Sequence, residues 1–166
     1  LHELADFFEQ QTTSLGTQTS EHLALGSLWG GVVLANAGLG AVHGLVAPLG
    51  GLCDVAHGDG CACLLPATFR VNAEALLRRQ PGSPATIRLR ELVSLLTNGK
   101  DSLDLALDRL DTLRRRLGIR SLSQQGVTSG QFAQIIASAR GGSMRSNPID
   151  LSDEELAMIL EASLGP

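Results

Sequence analysis

The sequence predicts an all-α fold, a multi-helix bundle, and three observations carry that prediction. Apolar residues recur at three- and four-residue spacing in one segment after another, as they do on the buried stripe of an amphipathic helix. No run of strand length alternates convincingly with period two, and no repeat of solenoid length occurs. The apolar side chains are mostly Leu, Ala, Val and Ile: 43% of the 166 residues are hydrophobic, yet only four are Phe, one is Trp and none is Tyr. A chain of this length can bury a sizeable core without covalent staples, so residues 1–166 are expected to form a single helical domain.

Taken in order, Leu4, Phe7 and Phe8 follow helical spacing, and the polar run Gln10-Gln11-Thr12-Thr13-Ser14 ends that segment. Ser20 can cap a helix from about Glu21 to Leu39, where Gly26, Gly30, Gly31, Ala35 and Ala37 lower helix propensity but permit close contact. Gly40 to Gly51 is apolar apart from His43, and Pro48 limits its regularity. Asp54 to Gly60 has the composition of a turn, leading into a buried helix over Cys61 to Arg79, which places His57 at a loop-to-helix junction. Gln80-Pro81-Gly82-Ser83-Pro84 breaks the chain before a short helix over Ile87 to Leu96. Asp101 is the expected cap of the clearest helix, whose stripe of Leu103, Leu107, Leu110, Leu113 and Leu117 runs to a stop at Gly118. Thr128 with Gln131, and Ser152 with Glu155, have capping-box spacing, and Leu151 with Leu156 can staple the second.

The charge balance narrows the functional classes. A net charge of −4 argues against a general binder of phosphate backbones, so no nucleic-acid partner is expected. No stretch approaches the roughly 20 apolar residues that span a bilayer, and the first residues lack the basic start of a signal peptide. A cytoplasmic location with no membrane partner is the expectation. Cys53, Cys61 and Cys63 are an odd number in a mid-sized chain and are expected as reduced thiols. The chain opens without methionine, part-way through an amphipathic pattern, and a preceding segment is therefore expected.

Of the four histidines, His2 and His22 lie among polar neighbours and are assigned no role. His43 and His57 sit in apolar or glycine-rich settings where an imidazole needs a partner, and a Gly- and Pro-containing connection between them can fold back to bring the rings together. A shared Zn2+ or Fe2+ satisfies both rings; separate hydrogen bonds to backbone would do so too. A second constellation, Cys53, His57, Cys61 and Cys63, holds four zinc-type donors within eleven residues, but it lacks a C-x-x-C knuckle, and buried structural cysteines account for it as well. Gly38-Leu39-Gly40 is not a dinucleotide fingerprint, because His43 stands where the third glycine belongs. Arg78-Arg79 and Arg114-Arg115-Arg116 fall at helix C-terminal ends, where cations offset the macrodipole.

From Asn36 onward the residues form a recognisable frame. It runs Asn36-Ala37-Gly38-Leu39-Gly40-Ala41-Val42-His43-Gly44, then Pro48-Leu49-Gly50-Gly51, Ala56-His57-Gly58 and Leu64-Leu65-Pro66, and closes on Asn72. This frame resembles the signature of iron-containing (group III) alcohol dehydrogenases, and Asn147-Pro148-Ile149-Asp150-Leu151-Ser152 with the following acidic turn resembles that family's last capped helix. The resemblance implies the C-terminal helical metal-binding domain of a two-domain oxidoreductase, without the N-terminal α/β domain that binds NAD(P). It implies Fe2+ or Zn2+ held through His43 and His57, with two further ligands, one Asp and one His, upstream of Leu1. It also implies a small alcohol, aldehyde or ketone as substrate. Where many members have further histidines this chain has Ala47 and Ala67, and nothing assigned to those positions carries over.

Three expectations therefore compete. The first is an oxidoreductase domain that acts with NAD(P) and a metal as part of a longer enzyme and is inactive alone. The second is a non-catalytic helical binding module derived from that domain. The third is a small zinc-stabilised domain built on the Cys53 to Cys63 cluster. Half of a two-domain fold would leave apolar surface uncovered, so the isolated chain is also expected to form a homo-oligomer.

Overall fold

A computed structural model describes residues 17–165, among which there are seven α-helices and no strand. The all-α expectation holds; the helical pattern at Leu4, Phe7 and Phe8, and His2, lie outside the described residues. Helix α1 spans Thr17–Ala37, α2 Ala41–Cys53, α3 His57–Arg79, α4 Pro84–Leu96, α5 Leu103–Arg116, α6 Phe132–Ala139 and α7 Asp153–Leu164. Short 3-10 turns occupy Ser123–Gln125, Ser129–Gln131 and Gly142–Ser146.

Helix α1 starts before Ser20, because nothing between Thr17 and Ser20 breaks a helix; a good capping residue marks a possible start and does not enforce one. It ends where Gly38 adopts a left-handed φ of 75° and its N–H reaches Leu34 O at 3.2 Å. Helix α2 then runs straight through Pro48. Proline in a helix interior costs about 3 kcal/mol, but Leu45, Val46, Pro48 and Leu49 are all buried, and this packing outweighs the lost hydrogen bond.

Helix α3 begins four residues earlier than composition suggests, taking Gly58, Asp59 and Gly60 into its first turn. Two glycines there cost about 1 kcal/mol each in propensity, yet Gly60 is required by packing. A Cβ on it would lie 2.6 Å from Val46 Cγ2 and 3.0 Å from Val55 Cγ1, so α2 and α3 approach each other at a point where only glycine fits.

Local capping signals are realised in the second half of the chain. Ser83 caps α4 by accepting from Thr86 N at 3.2 Å, with Pro84 in the first turn. Ser102, rather than its neighbour Asp101, caps α5 by accepting from Leu105 N; the two residue types cap about equally well, and the register that buries Ala106 and Leu107 decides between them. Gly118 is left-handed as expected, while Leu117 sits at the C-cap and is half exposed. The capping boxes Thr128/Gln131 and Ser152/Glu155 both form, and Leu151 and Leu156 are fully buried around the second.

Helix α3 is the centre of the packing: α2, α4, α5 and α7 all lie against it, and α2 also packs on α6 and on the Gly142–Ser146 turn. The core is aliphatic, with Leu45, Leu49, Leu64, Leu76, Leu122, Ile135, Leu156, Ile159 and Leu160 essentially inaccessible. Arg78 and Arg79 at the end of α3 both hydrogen-bond Glu155 in the first turn of α7, at 3.0 and 3.1 Å, so these cations tie two helices together as well as offsetting a helix dipole. Among the described residues no single helix is long and apolar enough to cross a membrane; α1 and α2 reach that composition only as a pair bent by 98°.

Candidate metal centre

His43 and His57 are fourteen residues apart on different helices, one in the first turn of α2 and the other the first residue of α3. The close α2–α3 approach at Gly60 brings the rings together, with centroids 5.3 Å apart and planes tilted by 53°. Cys61 completes the group. Its Sγ lies 3.8 Å from His43 Nε2 and 3.6 Å from His57 Nε2, and one donor atom from each of the three residues falls within 4.8 Å of the others.

Helix geometry explains which flanking side chains join. Cys61 is four residues after His57 and shares its face of α3, whereas Asp59 points elsewhere and pairs with Arg120 at 3.5 Å. The four-donor constellation of Cys53, His57, Cys61 and Cys63 is divided. Cys63 is buried in the core and donates to Ser163 O at 3.5 Å, and Cys53 lies at the far end of α2. No cluster of Cys53 and Cys63 with His57 forms among the described residues.

Burial sets the protonation states. His43 is pushed below its ordinary value of 6.5, first by desolvation and then by the neighbouring His57, so its ring is neutral and ready to donate a lone pair at neutral pH. Burial raises the Cys61 thiol above its ordinary 9.0. The partner of both Nε2 atoms is thus a neutral thiol, a weak hydrogen-bonding group. Two imidazoles facing one sulfur are a donor set suited to a borderline divalent ion.

A groove of about 590 Å³ opens beside these side chains, within the range of small-molecule sites. His43 and Cys61 line it at one side, Val42, Leu65 and Phe69 form apolar walls, and Asn72 and Asn147 supply polar atoms. The two asparagines are paired: Asn147 Nδ2 donates to Asn72 Oδ1 at 2.7 Å, and Asn72 Nδ2 donates to Asn147 Oδ1 at 3.3 Å. Asn147 Oδ1 also accepts from Ala41 N at 3.0 Å, at the start of the helix that carries His43. This pair joins two sequence motifs 75 residues apart and fixes the first turn of α2 against the C-terminal segment.

Sequence reasoning singled out His43 and His57, and the structure places them side by side. It grouped Cys61 with Cys53, His57 and Cys63 rather than with His43, because the glycine-rich composition of residues 58–60 reads as a loop and hides the helical spacing from His57. The link between Asn72 and Asn147 was equally hidden, since nothing local connects positions so far apart.

Comparison with known proteins gives a consistent set of likenesses. The profile of the Fe-containing alcohol dehydrogenase family, C-terminal, matches residues 10–164. A 1,3-propanediol dehydrogenase from Klebsiella pneumoniae is 34% identical over 157 residues, covering 90% of this chain and 39% of the relative. A 4-hydroxybutyrate dehydrogenase from Cupriavidus necator is 33% identical over 141 residues, covering 81% of this chain and 35% of the relative. A crystal structure of 1,3-propanediol oxidoreductase superposes with a TM-score of 0.69 at 31% identity, over 88% of this chain and 38% of that one. The chain thus spans about two fifths of the length of the relatives it matches.

Proposed function

The chain belongs to the Fe-containing alcohol dehydrogenase family, as its C-terminal domain, and on that premise we propose that it is the metal-binding half of an NAD(P)-linked oxidoreductase acting on a small alcohol, aldehyde or ketone. The observation that carries this proposal is the convergence of His43 and His57, from two helices, beside a groove that His43 lines. The nicotinamide cofactor binds a nucleotide-binding domain that precedes this one in the whole enzyme, and the chain alone has no turnover.

His43 and His57 would hold the ion, Fe2+ or Zn2+, through imidazole nitrogens. When bound, it supplies Lewis acidity at the substrate oxygen. The chain's own contribution is placement. Val42, Leu65 and Phe69 take the carbon chain of the substrate and keep water away from the reacting end. The paired Asn72 and Asn147 hold α2 so that His43 keeps its position, and desolvation keeps that ring free of a proton.

Assay of the natural gene product with short primary alcohols and NAD+ or NADP+, followed by nicotinamide absorbance, tests the proposal. Turnover is expected that His57→Ala abolishes while the far-ultraviolet circular dichroism is unchanged. A folded gene product without turnover on alcohols, or on aldehydes and ketones in reverse, would instead support a non-catalytic helical module.

A further inference from the structure

The structure brings a third donor side chain of this chain to the point where His43 and His57 meet. We propose that Cys61 is a metal ligand, so that α2 and α3 of this chain form a His43–His57–Cys61 site selective for zinc over iron(II). The proposal rests on ligation by the histidine pair and goes beyond it in adding a thiolate and a metal preference.

Distances support it. A tetrahedral ion with metal–sulfur bonds of about 2.3 Å and metal–nitrogen bonds of about 2.0–2.1 Å separates sulfur from nitrogen by about 3.6 Å. Cys61 Sγ stands 3.6 Å from His57 Nε2 and 3.8 Å from His43 Nε2. A thiol hydrogen bond accounts for one of these contacts; the other then needs the second imidazole to donate in return. One shared ion accounts for both. On binding, the thiol proton passes to solvent and the sulfur lone pair forms the coordinate bond.

Local architecture supports it as well. His57 and Cys61 are spaced as two ligands one helical turn apart, and His43 comes from the neighbouring helix, so one backbone element fixes two donors and the Gly60 contact fixes the third. Asp59, the nearby carboxylate that would favour a harder ion, is engaged by Arg120. A thiolate with two imidazoles favours zinc, which also ranks above iron(II) in general affinity.

Cobalt(II) titration of the 166-residue chain, watched by absorption, separates this inference from the reading beneath it. The expected result is a sulfur-to-cobalt charge-transfer band in the near ultraviolet together with intense d–d bands. Cys61→Ser should lose the charge-transfer band, keep weaker d–d bands and bind Zn2+ at least about tenfold more weakly. Zn2+ should also protect Cys61 from iodoacetamide, with the alkylated position read by mass spectrometry, so the inference does not depend on how the variant folds. Cobalt d–d bands without a charge-transfer band, and a Cys61 alkylated equally fast with zinc present, would overturn the thiolate while leaving the histidine pair as ligands. Failure of the wild-type chain to bind cobalt would overturn the three-donor site, and binding unaffected by His43→Ala would overturn both.

Discussion

Ser152 fixes the start of α7 in two ways. Its Oγ accepts from Glu155 N at 3.2 Å, and a side-chain hydrogen bond from it holds the exposed Glu154 carboxyl below its ordinary value of 4.5. A carboxyl whose value is depressed in the folded chain adds stability that is present above pH 4.5 and is lost as the pH falls through the folded value. Ser152→Ala should therefore lower stability by about 1 kcal/mol at neutral pH, the usual worth of an N-cap, and the gap from wild type should narrow in acid. Urea midpoints of both proteins across that range check this, and a gap that stays constant would exclude the Glu154 contribution. This cap was legible in the sequence because a capping box is local: Ser and Glu at the right spacing before an apolar run suffice. His43 and His57 were legible for a different reason, the glycine-rich frame around them. Cys61 was read as a donor beside His57, but its contact with His43 was not legible, because it depends on how two helices meet.

At the scale of elements, the contact between α2 and α3 decides the geometry of the candidate centre. Gly60 leaves no room for a Cβ, with Val46 Cγ2 at 2.6 Å and Val55 Cγ1 at 3.0 Å from where it would stand. Gly60→Ala should cost about 1–3 kcal/mol, the range for overpacking a well-filled core, even though alanine is the better helix former by about 1 kcal/mol. Thermal denaturation measures the sign: net stabilisation would mean that the two helices part freely, and zinc affinity should fall with stability if they do not. The elements themselves were readable from spacing, including the stop at Gly118 and the break after Arg79, although α4 starts at Pro84, three residues before the expected Ile87. What spacing could not supply was the helical state of Pro48 and of residues 58–60. In both places local propensity argues against a helix, and burial of Leu45, Val46, Leu49 and Gly60 prevails.

At the scale of the whole molecule, α1 stands apart from the main packing and exposes Leu25, Leu28, Trp29, Val32, Val33 and Leu34, with Trp29 59% and Leu28 64% accessible. Apolar side chains exposed in this number on one helix favour association. The isolated chain should self-associate with rising concentration, and Leu28→Lys should shift sedimentation toward the monomer. Trp29 is the only tryptophan, so its emission should move to shorter wavelength as the chain associates and stay fixed in the variant. The all-α class and the order of helices followed from hydrophobic periodicity; which helix stays uncovered did not, because every apolar stripe looks alike until its partners are known. Anomalous diffraction at the zinc absorption edge from crystals of the chain grown with Zn2+ tests ligation by the histidine pair most directly. One strong peak is expected between His43 and His57, lost in His57→Ala crystals of the same form. A peak at Cys53 or Cys63, or none at the histidine pair with zinc in excess, would contradict it.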